Sequence, residues 1–354
     1  MALPLKQILH KRTCLPVCEL IHHISCLQIP SRSEHSVPWY QEYLQPPVRP
    51  KKDQEDRRSI LRNPGVINVS KLSKEQLCQH LTENVFYKEG PLLAINKPQG
   101  LAIAGNSEEL SMVSLLPDLQ QLLQLKPELH IVKAAPKESS GLVLLSTCHV
   151  TTKNFEDFYS QCRKAKKPIT TFCAITVGVP NPAEGDVKVA LKGEQIHDLR
   201  LVVPVMDPSK GSLERKEVKE TQTFYKVLDS ANGCSLLQLQ PMTVFRDQLP
   251  VQCTLKFSPI LGDHTYSSRV AKVLGKDVYI PFDAATPQTQ RVEEKILRKM
   301  HFSSQQMHRM PLHLHLHKLV MPEDPQGRYP THLQAPPPPF FQRTMELLRL
   351  RMKV

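Results

Sequence analysis

Apolar positions along the chain fall into short runs and two periodicities, and these predict a mixed set of strands and helices. Leu93-Ala94-Ile95 leads into Asn96-Lys97-Pro98-Gln99-Gly100, a β-rich run stopped by Pro and Gly, so Lys97 is expected at the end of a strand that enters a turn. Leu142-Val143-Leu144-Leu145 follows Ser139-Ser140-Gly141 and reads as a buried aliphatic strand. A helix is expected from about Thr152 to Ala165, followed by a strand through Thr170-Thr171-Phe172-Cys173-Ala174-Ile175-Thr176-Val177-Gly178. Thr223-Phe224-Tyr225-Lys226-Val227-Leu228 has ordinary strand composition. Ser73 with Gln76 forms a capping-box pattern, and Leu72 with Leu77 would staple across it, which sets a short helix to about Thr82. A charged helix is expected near Arg291 to Met300. After the prolines at 336 to 339, Phe340, Phe341, Met345, Leu348 and Met352 give one apolar helical face, which predicts a helix docked on the core, with a partner surface as the alternative.

Leu312-His313-Leu314-His315-Leu316-His317 alternates strictly, which places three His on one face of a strand. Such spacing can bind zinc or copper, but no nearby carboxylate or Cys completes a set, so no metal is assigned. The simpler expectation is a half-buried strand whose His face meets water or RNA phosphate.

The chain has 354 residues, more than one typical domain, and 40% hydrophobic content can support a proper core. The first 30 residues hold Lys6, Lys11 and Arg12 against the single acid Glu19, which suits a mitochondrial presequence, with a disordered tail as the alternative. Residues 31–58 are polar and proline-punctuated and read as linker. Residues 59–354 are then expected to form one domain with the C-terminal docking helix and no separate N-terminal RNA-binding module. The nine cysteines are odd in number and contain no Cys-x-x-Cys, so neither a disulfide framework nor a zinc ribbon is indicated. No stretch reaches the roughly 18 apolar residues of a membrane span.

A formal charge of +12, from 46 basic and 34 acidic residues, favours an anionic partner. Arg163-Lys164-Ala165-Lys166-Lys167 closes the expected helix with four cations and is the first candidate for phosphate contact, although a basic helix end is favoured by the helix dipole anyway.

Several motifs in order resemble the RluA-type pseudouridine synthase family. The family's Asn-Lys-Pro-x-Gly stands as Asn96-Lys97-Pro98-Gln99-Gly100, and its Ser-Gly loop and strand as Lys137-Glu138-Ser139-Ser140-Gly141-Leu142. Its Tyr-x-Ala strand aligns with Phe172-Cys173-Ala174. Pro241, Thr243 and Gln248 match its third motif, and Ile260-Leu261-Gly262-Asp263-His264-Thr265-Tyr266 matches Ile-x-Gly-Asp-x-x-Tyr. Within the family the likeness is greatest to a vertebrate mitochondrial branch grouped with messenger-RNA pseudouridine synthases. The resemblance implies an α+β pseudouridine-synthase fold, a mostly antiparallel bifurcated sheet with flanking helices and a central cleft. It also implies RNA, mitochondrial mRNA or rRNA, as partner, together with other mitochondrial RNA-modification or ribosome-assembly proteins, in the mitochondrial matrix.

Isomerising uridine to pseudouridine requires no metal and no cofactor. It does require a base taken out of its stack, held on an aromatic ring and met by an ionised Asp that a cation fixes. By the resemblance Phe172 keeps the ring, while the catalytic Asp position is Pro136, the position of the Arg that helps extrude the base is Ala134, and the slot of the Arg that pairs with the Asp is Pro250. Asp247, in the family's His slot, is the carboxylate that could replace the lost one. Read as a strand, this segment would turn Arg246 and Asp247 to opposite faces. Lys97, Ser140, Phe172, Arg246 and the four cations at 163 to 167 are the expected RNA contacts. The alternatives are an active synthase, a degenerate RNA-binding or assembly factor supporting mitochondrial translation, which the residues favour, and a basic structural protein with no RNA role.

Overall fold

The aliphatic run after Gly141 becomes the hub of the sheet. A computed structural model of the protein describes residues 59–61, 66–105, 109–281, 286–323, 327 and 329–352, all within the compact unit Asp53–Val354. The presequence and linker expected before residue 59 lie outside the described residues. In chain order the first elements are α1 (Lys74–Glu83), β1 (Val85–Glu89), β2 (Leu92–Lys97), α2 (Met112–Leu122), β3 (His130–Ala134), β4 (Ser140–Ser146) and α3 (His149–Lys164). There follow β5 (Thr170–Val177), β6 (Glu184–Ile196), β7 (Leu199–Val205), α4 (Lys210–Glu214), β8 (Val218–Ala231), β9 (Cys234–Pro241) and α5 (Gln248–Leu255). The chain continues through β10 (Val270–Val273), β11 (Lys276–Tyr279), α6 (Glu294–Lys299), β12 (Leu314–Val320), β13 (His332–Gln334) and α7 (Pro339–Leu348).

β4 is buried along its whole length because Leu142 and Leu144 enter one core while Val143 and Leu145 enter another. A strand covered on both faces has no polar side to present, which is why its sequence is an unbroken aliphatic run. One edge of β4 pairs with β2, from Leu92 opposite Ser146 to Lys97 opposite Gly141. The other edge is shared. β3 takes Val143 to Ser146, and β12 takes Ser140 and Gly141 in parallel. The sheet therefore forks at β4, and the fork opens the cleft described below. From β12 it runs on through β5, β9, β8, β6 and β7, all antiparallel, to complete an eleven-stranded sheet with β13 beside β12. This is a mixed α+β architecture with a mostly antiparallel sheet and flanking helices.

Gly141 makes the fork possible. Its φ is +122°, and a Cβ there would lie 2.4 Å from the Leu316 carbonyl oxygen. Only glycine lets β12 come this close to β4. Gly262 serves a second close approach, since a Cβ on it would stand 2.0 Å from the Pro311 oxygen.

The helices cover the two faces. Ser73 caps α1 with both capping-box bonds, the Gln76 N–H to Ser73 Oγ at 3.2 Å and the Ser73 N–H to Gln76 Oε1 at 3.0 Å, and Leu77 is buried beside Leu72. α3 begins at His149, ahead of the expected Thr152, and buries Phe155 and Tyr159 while the Tyr159 hydroxyl donates to the Val320 oxygen at 3.1 Å. α7 buries Phe340 and Phe341; burying such a ring is worth about 1.5–3 kcal/mol, so the two anchor the helix. It ends at Leu348, where Arg349 turns left-handed, so Met352 lies beyond the helix on whose face the sequence placed it.

The His-bearing face of β12 meets α7 and β13, and neither water nor phosphate. His313 touches Phe340 and Phe341 and bonds the Thr344 hydroxyl at 2.8 Å. His315 bonds Ser140 Oγ and the Ala335 oxygen, each at 3.0 Å, and His317 bonds the same Ala335 oxygen at 2.8 Å. Burial pushes His313 down to about 4 and His315 to about 3, so both stay neutral at physiological pH. Alternation shows which side chains share a face, but it does not show that α7, the second element after β12, folds back to cover that face.

Candidate functional site

A cavity of about 350 Å³ opens where the sheet forks. Lys133 and Ala134 at the end of β3 and Pro136 and Glu138 in the turn to β4 form one wall. Phe172 of β5 and Leu314 and Leu316 of β12 form an apolar floor, Phe172 lying opposite Leu316 in register. The segment from Thr243 to Pro250 closes the far side. The departures from the family pattern at 134, 136, 247 and 250 meet at this one cavity.

The segment expected as a strand is a loop followed by a helix. β9 stops at Pro241, and Asp247 takes a left-handed conformation, φ 49°, at the entry to α5. Asp tolerates that region better than most residues. Pro250 is the third residue of α5, where its missing N–H leaves no helical bond unmade. Strand alternation therefore does not apply. Arg246 and Asp247 both line the cavity, and Arg246 Nε lies 3.4 Å from Asp247 Oδ2.

Asp247 Oδ2 also accepts from the Tyr266 hydroxyl at 2.7 Å. The phenol oxygen in turn accepts the Val202 N–H at 3.2 Å, which leaves its own proton for the carboxylate. Asp263 holds this tyrosine in place by accepting the Thr265 and Tyr266 N–H groups, each at 2.9 Å. Burial drives the Asp263 carboxyl up to about 6 against those two bonds, and raises the Tyr266 phenol as well, with the Asp247 charge adding to it. The other polar side chains of this wall are occupied: Thr243 accepts the Gln222 N–H and donates to Gln248 Oε1, while Gln248 Nε2 donates to Thr223 Oγ1.

The sequence reasoning overlooked Lys133, which lines the cavity one residue before Ala134. Burial lowers its ammonium below the ordinary lysine range, and the nearby Arg163 charge lowers it further. Arg163 stands at the end of α3 with Lys164, and Lys166 and Lys167 follow, all exposed. Among the described residues no carboxylate pairs with any of these five cations. Lys97 and Ser140, expected among the RNA contacts, lie outside the cavity. Lys97 is 1% exposed and donates to the Pro98, Leu101 and Ser139 oxygens at 2.9–3.1 Å, so it ties the turn at Ser139 to the end of β2. Ser140 is buried against His315. The signal available in the sequence was the aliphatic run on one side of each, Leu93-Ala94-Ile95 before Lys97 and Leu142 to Leu145 after Ser140.

No group of three or more His, Cys, Asp or Glu able to hold a metal lies among the described residues, and no described helix is long and apolar enough to cross a membrane.

Residues 91–255 match the family model described as RNA pseudouridylate synthase. The mouse (Mus musculus) mitochondrial mRNA pseudouridine synthase Rpusd3 is 45% identical over 288 residues, covering 81% of this chain and 83% of that protein. The chain belongs to the RNA pseudouridylate synthase family. The human (Homo sapiens) mitochondrial mRNA pseudouridine synthase RPUSD3 is 44% identical, over 80% of each chain. The solved structure of human RNA Pseudouridylate Synthase Domain Containing 4 superposes with a TM-score of 0.62 at 25% identity, covering 79% of this chain and 98% of that one. In this member of the family the cavity is lined by proline at 136 and at 250.

Proposed function

We propose that the protein is a mitochondrial RNA-binding member of the family that holds an exposed uridine in the forked-sheet cleft without isomerising it. The mitochondrial setting and the RNA rest on the names of its relatives and on the +12 charge. The observation that carries the reading is the cavity wall: the family's Asp position is Pro136 and its Arg slot is Pro250, so neither the reacting carboxylate nor its cation is present there. An aromatic and apolar floor with no ionisable group at position 136 can hold a base and cannot attack it.

A second reading has one observation in its favour. Asp247 and Arg246 pair inside the same cavity, as a relocated acid and its cation would. Tritium release from RNA carrying 5-tritiated uridine distinguishes the two. Purified wild-type protein is expected to release none, and Pro136→Asp is expected to release none either, because Pro250 offers the new carboxylate no cation and Ala134 offers no wedge. Release by the wild type that Asp247→Asn abolishes in a folded protein would establish the second reading and overturn the first.

A further inference from the structure

An anionic side chain in a cleft for a polyanion costs affinity unless it meets a hydrogen-bond donor. Two carboxylates line the cavity, Glu138 and Asp247. Glu138 is exposed at the turn, whereas the Asp247 side chain is only 12% exposed and is oriented by the Tyr266 hydroxyl and Arg246, both on Oδ2. Among the described residues no donor meets its Oδ1. Thr243 and Gln248 beside it are already committed to Gln222, Thr223 and each other. This wall therefore presents one oriented acceptor without a protein partner, next to a floor of Phe172, Leu314 and Leu316 that suits the flat face of a base.

A uridine offers an acceptor two donors, the imide N3–H of the base and the 2′-hydroxyl of the sugar. A base seated on the apolar floor brings its polar edge to the walls. We propose that Asp247 reads the uracil N3–H and so selects uridine, with Tyr266 and Arg246 as the residues that position its carboxylate. Cytosine has a lone pair at N3, which a carboxylate repels. This inference rests on the reading of the cleft as a uridine-holding site, and it makes Asp247 a specificity-determining residue and not the reacting group.

The test compares binding of one short stem-loop RNA whose single exposed loop nucleotide is uridine, N3-methyluridine, 2′-deoxyuridine or cytidine. The full chain is used as wild type, Asp247→Gly and Asp247→Asn. Glycine suits the φ of 49° at this position, so the first variant is compatible with the backbone, and asparagine also tolerates it. The wild type is expected to bind the uridine RNA about tenfold to a hundredfold more tightly than the N3-methyl RNA, the range for a hydrogen bond to a charged group. In Asp247→Gly that ratio should collapse to about twofold or less, and in Asp247→Asn it should fall between the two, since a neutral amide oxygen accepts more weakly. Equal binding of uridine and N3-methyluridine by the wild type overturns the inference. So does a discrimination that survives in Asp247→Gly, or one that follows the 2′-hydroxyl instead. Failure of the wild type to bind any of these RNAs would instead strike at the RNA-binding reading itself.

Discussion

Neutralising the cluster Arg163, Lys164, Lys166 and Lys167 tests whether the RNA path runs past the end of α3. These side chains are exposed and, among the described residues, paired with no carboxylate, so changing all four to Gln removes charge without opening a core or stranding an acid. Arg163 lies near enough to Lys133, on the cavity wall, to lower its ammonium, and the other three cations follow it within four residues. Each phosphate neutralised on a single strand contributes about 0.7 to the slope of log affinity against log salt, so four contacts contribute about 2.8. Between 50 and 200 mM salt that difference amounts to roughly fiftyfold in affinity. Fluorescence anisotropy with a labelled single-stranded or stem-loop RNA, titrated across this range with residues 59–354, reads it directly. The wild type should lose affinity steeply, and the quadruple variant should start weaker and fall more gently. Parallel lines for the two proteins would refute the reasoning and leave the cluster a solvated helix end.

Other perturbations bear on the floor, the fork and the supports. Phe172→Ala should weaken binding of an exposed uridine by about 1 to 3 kcal/mol, measured on the fraction shown to be folded; intact affinity in that fraction would make Phe172 a core residue only. Gly141→Ala should cost more than about 3 kcal/mol in urea unfolding or abolish folding, because the added carbon meets the Leu316 oxygen at 2.4 Å in a backbone conformation that alanine avoids; a loss below about 1 kcal/mol would mean that β12 can move aside. Asp263 binds its proton more tightly folded than unfolded, since burial raises its carboxyl from 3.8 to about 6. Its contribution to stability is therefore present in full below 3.8 and is lost as pH rises through about 6, a loss on the order of 3 kcal/mol. The stability of the wild type minus that of Asp263→Asn should fall across pH 4 to 7, and a flat difference would show the carboxyl to be ionised throughout.

The parts of the fold legible in the sequence were those that local chemistry decides. The capping box at Ser73, the buried run after Gly141 and the strand through Phe172 all stand where periodicity and punctuation put them. Burial by distant elements was not legible. The His face of β12 looked solvent-facing because alternation alone does not show that α7, two elements further on, folds back to cover it. The Arg246–Asp247 pair was misjudged because a strand was assumed where β9 stops at Pro241 and a loop leads through the left-handed Asp247 into α5. Lys97 carries a charge, and charge suggested RNA, yet its three carbonyl acceptors make it a tie within the domain. Lys133 was overlooked beside the more conspicuous loss at Ala134, and Tyr266 was recognised as a landmark without its bond to Asp247 being anticipated.

The absence of both an acid at 136 and a cation at 250 follows from energetics, because either charge left alone in a closed site costs several kcal/mol while two prolines cost nothing of the kind. The cavity still holds charge, but in balance: Lys133 and Arg246 face Glu138 and Asp247. A balanced cavity contributes little net attraction for a polyanion, so any strong phosphate affinity is expected from outside it, and the cations at 163 to 167, which pair with no carboxylate among the described residues, are the first candidates. Affinity and base selection should then be separable. Asp247→Gly should change the ratio of uridine to N3-methyluridine binding and leave the salt slope within about one contact's worth of the wild type, about 0.7. The quadruple glutamine variant should do the reverse, flattening the slope while the ratio holds. If one substitution moved both readouts together, the division of labour between the floor of the cleft and the end of α3 would be wrong, and the two regions would have to act as one site.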